Sequence, residues 1–153
     1  MSRFGNLSAG DRQALIRKAG ELALQHFVAG FNCAESVLYG IIMAFDLQGG
    51  DEVMRVATPF GGGIGMAGSV CGALSGGVVG LGLVFGRTVL DAEQKKVAYA
   101  HAERLWRQFV ERTSGEDCRT INTLGFDHPD HRSFCGRFVT IGAELAAGEL
   151  LEG

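Results

Sequence analysis

The sequence predicts a single all-α domain, a helical bundle around a glycine-rich central helix. The chain of 153 residues contains only two prolines, its β-branched runs are short, and its apolar residues recur mostly at steps of three and four. A chain of this length can bury a real hydrophobic core in one domain. The sequence contains neither a tandem repeat nor a linker, so we expect residues 1–153 to form one unit.

The central helix is predicted over residues 68–85. No side chain between Arg55 and Arg87 is ionisable except that of Cys71. Glycines at every fourth position share one stripe of this helix: Gly68, Gly72, Gly76 and Gly80. Each glycine inside a helix costs roughly 1 kcal/mol relative to alanine. The stripe therefore indicates close approach by another helix or by a cofactor, and Gly72 and Gly76 are the predicted cofactor contacts.

The same uncharged run is long enough to cross a bilayer, which takes about 20 apolar residues. Glycine dilutes its apolar side chains, however, and neither an aromatic belt nor a basic cluster flanks it. The rest of the chain has the pattern of amphipathic helices. We therefore favour a buried helix of a soluble protein over a membrane span.

The first helix is predicted to begin near Ser8, which can cap it with Asp11 in the first turn, and to end at Gly30. Its apolar face consists of Leu15, Ala19, Leu22, Ala23 and His26. We expect His26 to be a core residue with satisfied hydrogen bonds.

The second helix is predicted to begin at Cys33. Asn32 can cap it, and Glu35 occupies the capping-box position. Gly49 and Gly50 are expected to close it.

A short helix is predicted over residues 51–57. It should stop before Pro59, because proline restricts Thr58 to an extended backbone. After the central helix, Asp91 can cap a long helix that ends at residues 114–115. His101 lies beside the apolar face of this long helix and is also expected to be a satisfied core residue.

The C-terminal part is predicted to contain two more helical pieces. Asp117 can cap a short piece that begins at Cys118. Residues 125–130 have the composition of a loop. The last helix should run from about His131 to Leu150.

Composition and charge narrow the classes of binding partner and the cellular location that we expect. The net charge of −3 gives no reason to expect nucleic acid or an anionic membrane surface. The N-terminus lacks a basic region followed by an apolar one, so the predicted location is the cytoplasm. Four cysteines in that compartment are more often catalytic, redox-active or metal-binding than disulfide-bonded.

The candidate site residues are the four cysteines: Cys33, Cys71, Cys118 and Cys135. None belongs to a C-x-x-C pair. The first three follow capping residues, so each could sit in the first turn of a helix, where exposed amides stabilise a thiolate. We predict that Cys33 and Cys71 share one site, and that Cys118 and Cys135 approach it or each other. The alternative is that the cysteines are small buried hydrophobic residues.

Two other motifs are weaker indications of a binding site than the cysteines. His128 and His131 have a spacing that could hold a metal, but a pair in a polar loop is more often solvated. The glycine-rich stretch 61–65 resembles a phosphate loop, yet it lacks the Lys-Ser/Thr ending and a preceding strand. Nucleotide binding is therefore not favoured.

Four stretches resemble the C_GCAxxG_C_C family of small four-cysteine proteins, which is regarded as redox-active. They are N-C-A-E-S-V at Cys33, C-G-A-L-S-G from Cys71, and the single Cys118 and Cys135. The resemblance covers residues 21–145 and implies one site, formed by the four cysteines, for thiol redox chemistry or an iron–sulfur cluster. A related domain occurs in split-Soret cytochromes. This sequence lacks C-x-x-C-H, so covalent c-type haem is not expected.

Two classes of function remain open at this point. The first is an oxidoreductase or electron-transfer protein, in which the cysteines are catalytic thiols or metal ligands and an unidentified redox partner exchanges electrons. The second is a non-enzymatic binding or structural module with a cysteine-bound structural metal, associated with a membrane or a transporter. We expect a homo-oligomer in either case, specifically a homodimer, because the apolar content is high for so small a chain and helices with glycine faces often pair.

Overall fold

A computed structural model describes residues 4–153, and every regular element within them is helical. In chain order these are α1 (Ala9–Val28), α2 (Cys33–Phe45), α3 (Asp51–Ala57), a 3₁₀ turn (Thr58–Phe60), α4 (Gly61–Ile64), α5 (Gly72–Phe85), α6 (Ala92–Thr113), α7 (Cys118–Ile121) and α8 (His131–Leu151). The predicted all-α class is confirmed.

Two of the predicted helix starts have the expected caps. The Ser8 side chain accepts a hydrogen bond from the Asp11 amide at the start of α1. At the start of α2, Asn32 and Glu35 form a complete capping box, in which each side chain accepts from the other residue's amide. Such bonds satisfy amides that a helix leaves open at its start.

The start of α6 is also capped as predicted, by the Asp91 side chain, which accepts from the Gln94 amide. The predicted end of α2 was wrong. The helix ends at Asp46, which has a left-handed backbone with φ of 49°, and not at the glycine pair. The amide of buried Leu47 then bonds back to the Ile42 carbonyl, a common way of closing a helix.

The expectation of an extended Thr58 was also wrong. Thr58 has φ of −53° and ψ of −48°, so the helical path continues into the 3₁₀ turn. Its hydroxyl donates to Glu35 Oε1 (2.7 Å) and its carbonyl accepts from Asn32 Nδ2 (2.9 Å). These contacts with the start of α2 override the local preference that Pro59 imposes.

The central helix starts four residues later than predicted. It begins at Gly72, whereas Gly68 has a left-handed φ of 75°. The preceding segment pairs instead with the connection between α6 and α7. The Cys71 amide donates to the Glu116 carbonyl (2.7 Å), and the Cys118 amide donates to the Ser69 carbonyl (2.6 Å).

The remaining glycine stripe lies against another helix. A Cβ added to Gly76 would be 2.5 Å from the Ala34 carbonyl oxygen of α2, and one added to Gly80 would be 2.8 Å from an Ile41 methyl group. From α8, a Cβ added to Gly142 would be 2.5 Å from the Ala73 carbonyl oxygen. Helix α5 is therefore held between α2 and α8 at backbone distance. None of the helices within residues 4–153 is both long and apolar enough to cross a bilayer.

The two core histidines behave differently. His101 is buried, stacks on Phe85 at 3.8 Å and bonds to the buried Glu149 carboxylate at 3.0 Å, as expected of a satisfied core residue. His26 is stacked between Phe31 and Tyr39. Its buried Nε2 has no hydrogen-bond partner in the described part of the chain, so the expectation of a satisfied His26 was wrong.

Candidate cysteine site

All four cysteines line one cavity of about 310 Å³. Cys33 opens α2, Cys71 precedes α5, Cys118 opens α7 and Cys135 lies in the second turn of α8. Each is a free cysteine. The predicted convergence is therefore present, while the role of these residues as ligands or redox thiols stays a prediction.

The α5 backbone positions Cys33. A Cβ added to Gly72 would overlap the Cys33 sulfur, and it would also be 3.1 Å from the Ala34 amide nitrogen. Only glycine at this position lets the start of α2 lie directly on the start of α5. Gly72 and Gly76 thus contact α2, and a cofactor contact for either of them stays a prediction.

A left-handed turn, which includes most of the short α4 segment and the two residues after it, forms another wall of the cavity. Five consecutive residues have φ between 56° and 69°: Gly62, Gly63, Ile64, Gly65 and Met66. Glycine adopts this conformation easily, but the two larger residues do so only at a cost. A Cβ on Gly63 would be 2.6 Å from the Ser69 amide nitrogen and 2.7 Å from the Cys118 Cβ. The turn therefore packs directly against a site cysteine, and strained backbone of this kind often occurs at functional sites.

Arg132 fixes the start of α8. Its guanidinium donates to the carbonyl of Phe27 (2.6 Å), in the last turn of α1, and to that of Phe31 (3.0 Å), in the connection between α1 and α2. It also lies over the Phe27 ring at 4.2 Å, which adds a cation–π contact. These contacts hold Cys135, one turn further along α8, at the cavity.

The prediction that the thiolate form would be stabilised is wrong for three of the cysteines. Burial raises the pKa of Cys71, with a further contribution from Cys33, and the amides of Ala73 and Leu74 offset this only in part. Burial, again with Cys33, raises the pKa of Cys118 to about 11. Desolvation disfavours the charged form, and here it outweighs the helix ends.

Cys135 follows the same rule. Burial raises its pKa to about 11, and the neighbouring Cys118 and Cys33 act in the same direction. Arg137 and Arg132 lower the pKa, as the sequence suggested, but by less than burial raises it. In all three cysteines the raised pKa therefore favours the protonated thiol over the thiolate.

His131 also lines the cavity, although its loop context predicted a solvated residue. Its Nδ1 lies 3.0 Å from the His128 carbonyl oxygen. A carbonyl can only accept, so Nδ1 carries the proton and Nε2 of the neutral ring is an acceptor. The signal in the sequence was the spacing of four residues between His131 and Cys135, one helical turn.

Asn122 is a second residue that sequence reasoning missed. It lines the cavity and is only 6% exposed, and its Oδ1 has no hydrogen-bond partner among the described residues. No motif in the sequence indicated it, because its burial depends on the packing of α7 against the left-handed turn.

The rest of the cavity wall is mainly apolar, and it includes Phe27, Met66, Ile121, Phe126 and Phe138. Arg132 also borders the cavity, whereas no carboxylate does so within residues 4–153. The wall thus combines an apolar lining with one cationic side chain. Among the same residues, no three His, Cys, Asp or Glu side chains are grouped closely enough to hold a single metal ion.

Comparison with known proteins supports the importance of this region. A family profile described as "Putative redox-active protein (C_GCAxxG_C_C)" matches residues 31–148, which include all four cysteines. An "Uncharacterized protein" of Archaeoglobus fulgidus is 26% identical over 127 residues, covering 78% of this chain and 84% of the relative. No solved structure gives a significant match to the chain.

Proposed function

This chain belongs to the C_GCAxxG_C_C family, and from that premise we propose that its four cysteines hold an iron–sulfur cluster that transfers electrons. The observation that carries the proposal is the convergence of Cys33, Cys71, Cys118 and Cys135 on one cavity. Four cysteine thiolates are the usual ligand set of [2Fe–2S] and [4Fe–4S] clusters. When bound, the cluster would supply one-electron transfer.

The lack of any three closely grouped metal-binding side chains among the described residues argues against a structural zinc ion. Zinc draws its sulfur ligands to about 2.3 Å, so four thiols must almost meet at one point. No such grouping is present in the described residues. The irons and sulfides of a cluster stand between the thiolates, which suits cysteines that surround a cavity. At about 310 Å³, the cavity is at the small end of the usual range for ligand sites, about 300–1,000 Å³.

The acidity of the thiols favours a bound cluster over free thiol/disulfide chemistry. The thiolate is the attacking form in disulfide exchange, and burial raises the pKa of Cys71, Cys118 and Cys135. A coordinating metal removes the thiol proton outright. The buried thiols are therefore poorly suited to act alone and well suited to act as ligands.

The cavity wall supports the same proposal. Four thiolates bring more negative charge than the net positive charge of a common cluster core, its irons and sulfides together, and the nearby Arg132 guanidinium would oppose that excess charge. The apolar rings around the thiols would exclude water. Hydrogen bonding, charge and solvent exposure set the reduction potential of such a cluster.

Anaerobic purification followed by reconstitution with iron and sulfide tests the proposal. We expect a brown protein that contains iron and sulfide in equal amounts and has a visible spectrum that bleaches on reduction. Cys33→Ser and Cys118→Ser should each lose most of the bound iron. Ser133→Ala, an exposed position on α8 two residues from Cys135, is the matched control and should load normally.

Two results would contradict the proposal of an iron–sulfur cluster. A colourless folded protein that binds one zinc ion through all four cysteines would support the structural module. A protein that takes up no metal but forms and breaks a disulfide reversibly would support thiol redox chemistry. We further propose a separate electron-exchange partner, a homo-oligomeric state and a cytoplasmic location.

A further inference from the structure

The wall between the cysteine cavity and a second, smaller cavity contains an amide side chain that the proposed cluster ligation does not use. The second cavity has a volume of about 240 Å³. Four residues border both cavities: Met66, Cys118, Asn122 and Phe126. Among these four, Asn122 is the residue whose side chain carries a strong hydrogen-bond donor.

The side-chain amide of Asn122 is unpaired in the metal-free protein. The residue is 6% exposed, and its Oδ1 is closed off from the cavity without a partner among the described residues. Its Nδ2 also makes no hydrogen bond within the described part of the chain. Unlike Oδ1, however, Nδ2 is open to the cavity that Asn122 lines. Buried polar groups are nearly always hydrogen-bonded, so this free donor indicates an acceptor that occupies the cavity.

One helical turn places the Asn122 side chain next to that of Cys118. The Asn122 backbone amide donates to the Cys118 carbonyl (2.9 Å) and closes the turn of α7. Side chains four residues apart share one face of a helix, and both residues border the same two cavities. A group bound to the Cys118 sulfur would therefore lie near Nδ2.

We infer that Asn122 Nδ2 donates a hydrogen bond to a sulfur of the bound cluster, on the Cys118 side of the cavity, and so raises the reduction potential of the cluster. The inference rests on the proposed function. A protonated thiol is a weak acceptor, which explains why the amide has no partner in the metal-free protein. The sulfurs of a cluster carry negative charge, and the electron gained on reduction increases it. A hydrogen-bond donor therefore stabilises the reduced cluster more than the oxidised one.

A redox titration of the reconstituted protein tests the effect on the potential. Asn122→Leu has a similar shape but no donor. Loss of the bond should favour the oxidised cluster at least about threefold, which lowers the potential of a one-electron couple by at least about 28 mV. Thr123→Val, at the exposed neighbouring position, is the matched control and should leave the potential unchanged.

Pulsed EPR of the reduced cluster detects the contact itself. With nitrogen-15 placed only in the side-chain amides of asparagine, the natural protein should show a nitrogen coupling to the electron spin. We expect Asn122→Leu and Asn122→Ala to lose this coupling. The alanine variant removes the same amide with a smaller side chain, so the assignment does not depend on the folding of the leucine variant.

The stability of the metal-free protein separates this role from a structural one. An amide that is unpaired without the cluster forms no bond that holds the fold, and exchanging an unsatisfied buried group for an apolar one is neutral or stabilising. Metal-free Asn122→Leu should therefore unfold at the same denaturant concentration as the natural protein or at a higher one. A lower midpoint together with an unchanged reduction potential would show that Asn122 is only structural.

Equal potentials in the natural protein and Asn122→Leu would overturn the inference and leave the cluster proposal intact. Absence of the nitrogen coupling from the loaded natural protein would do the same. Iron and sulfide analysis precedes both measurements. A natural protein that takes up neither iron nor sulfide contradicts the proposed function and this inference with it, so the two failures are distinguished.

Discussion

Burial controls the chemistry of the individual cysteines more strongly than the helix ends do. Cys71 is 5% exposed and Cys118 is 6% exposed. At such positions the loss of water around a thiolate outweighs the attraction of nearby amides. The same desolvation that makes a free thiolate unfavourable makes a metal-bound thiolate well protected. Burial therefore supports our proposal that these cysteines act as ligands and not as nucleophiles.

The stability of the metal-free protein should fall as the pH rises from 9.0 to about 11. In the folded state the pKa of Cys118 and that of Cys135 are about 11, compared with an ordinary value of 9.0. Across this window the unfolded chain has released these protons while the folded chain still holds them, so rising pH favours unfolding. Denaturant melts of the reduced protein at several pH values measure the effect.

The double variant Cys118→Ser/Cys135→Ser is the control for this experiment, because it removes two of the titrating groups. Its free energy of unfolding should depend less on pH in the same window. A natural protein whose stability is constant, or increases, up to about pH 11 would contradict the burial argument.

At the scale of helices, the glycine stripe of α5 together with Gly142 of α8 lets three helices meet at backbone distance. Gly76 faces the backbone of α2, and Gly142 of α8 faces the backbone of α5. This packing places the start of α5 against the start of α2, and so brings Cys71 close to Cys33. The cost of glycine in a helix is thus offset by contacts that build the site.

Gly76→Ala and Gly82→Ala should have opposite effects on stability. The new Cβ at position 76 would be 2.5 Å from the Ala34 carbonyl oxygen, and overpacking of this kind costs about 1–3 kcal/mol. Gly82 is in the same helix but is exposed, with nothing within 4 Å of its added Cβ. Alanine there should stabilise the protein by up to about 1 kcal/mol. Thermal and denaturant melts compare the two, and equal effects would show that the stripe is not tightly packed.

At the scale of the whole molecule, the site joins parts of the chain that are far apart in sequence. Its cysteines come from the starts of α2 and α7, the residue before α5 and the second turn of α8. A cluster bound to all four would tie these elements together. Ligand binding to the folded state alone raises stability, and metal sites often couple to folding in this way.

Iron loading should therefore raise the melting temperature. For a chain of this size, a stabilisation of 1 kcal/mol shifts the midpoint by about 2–4 °C, so we expect the loaded protein to melt at least about 5 °C higher than the metal-free form. Calorimetry under anaerobic conditions measures the difference, and Cys33→Ser should show little of it. Identical melting of fully loaded and metal-free protein would show that the cysteines do not share one cluster.

The sequence by itself determined the features that depend on a few neighbouring residues. The caps at Ser8, Asn32 and Asp91 were predicted because each bond joins residues three apart. The all-α class followed from the helical periodicity of the apolar residues. The four cysteines were identified from their order and their family motif.

Only the tertiary structure decided the features that depend on distant contacts. The start of α5 moved from Gly68 to Gly72 because the preceding residues bond to a segment more than 40 residues further along the chain, as in the bond between the Cys118 amide and the Ser69 carbonyl. The raised thiol pKa values follow from burial, and burial of Asn122 requires the folded wall between two cavities. Burial and long-range pairing are properties of the packed chain. Local sequence patterns therefore identified the cysteines of the site but could not predict the pKa values of their thiols.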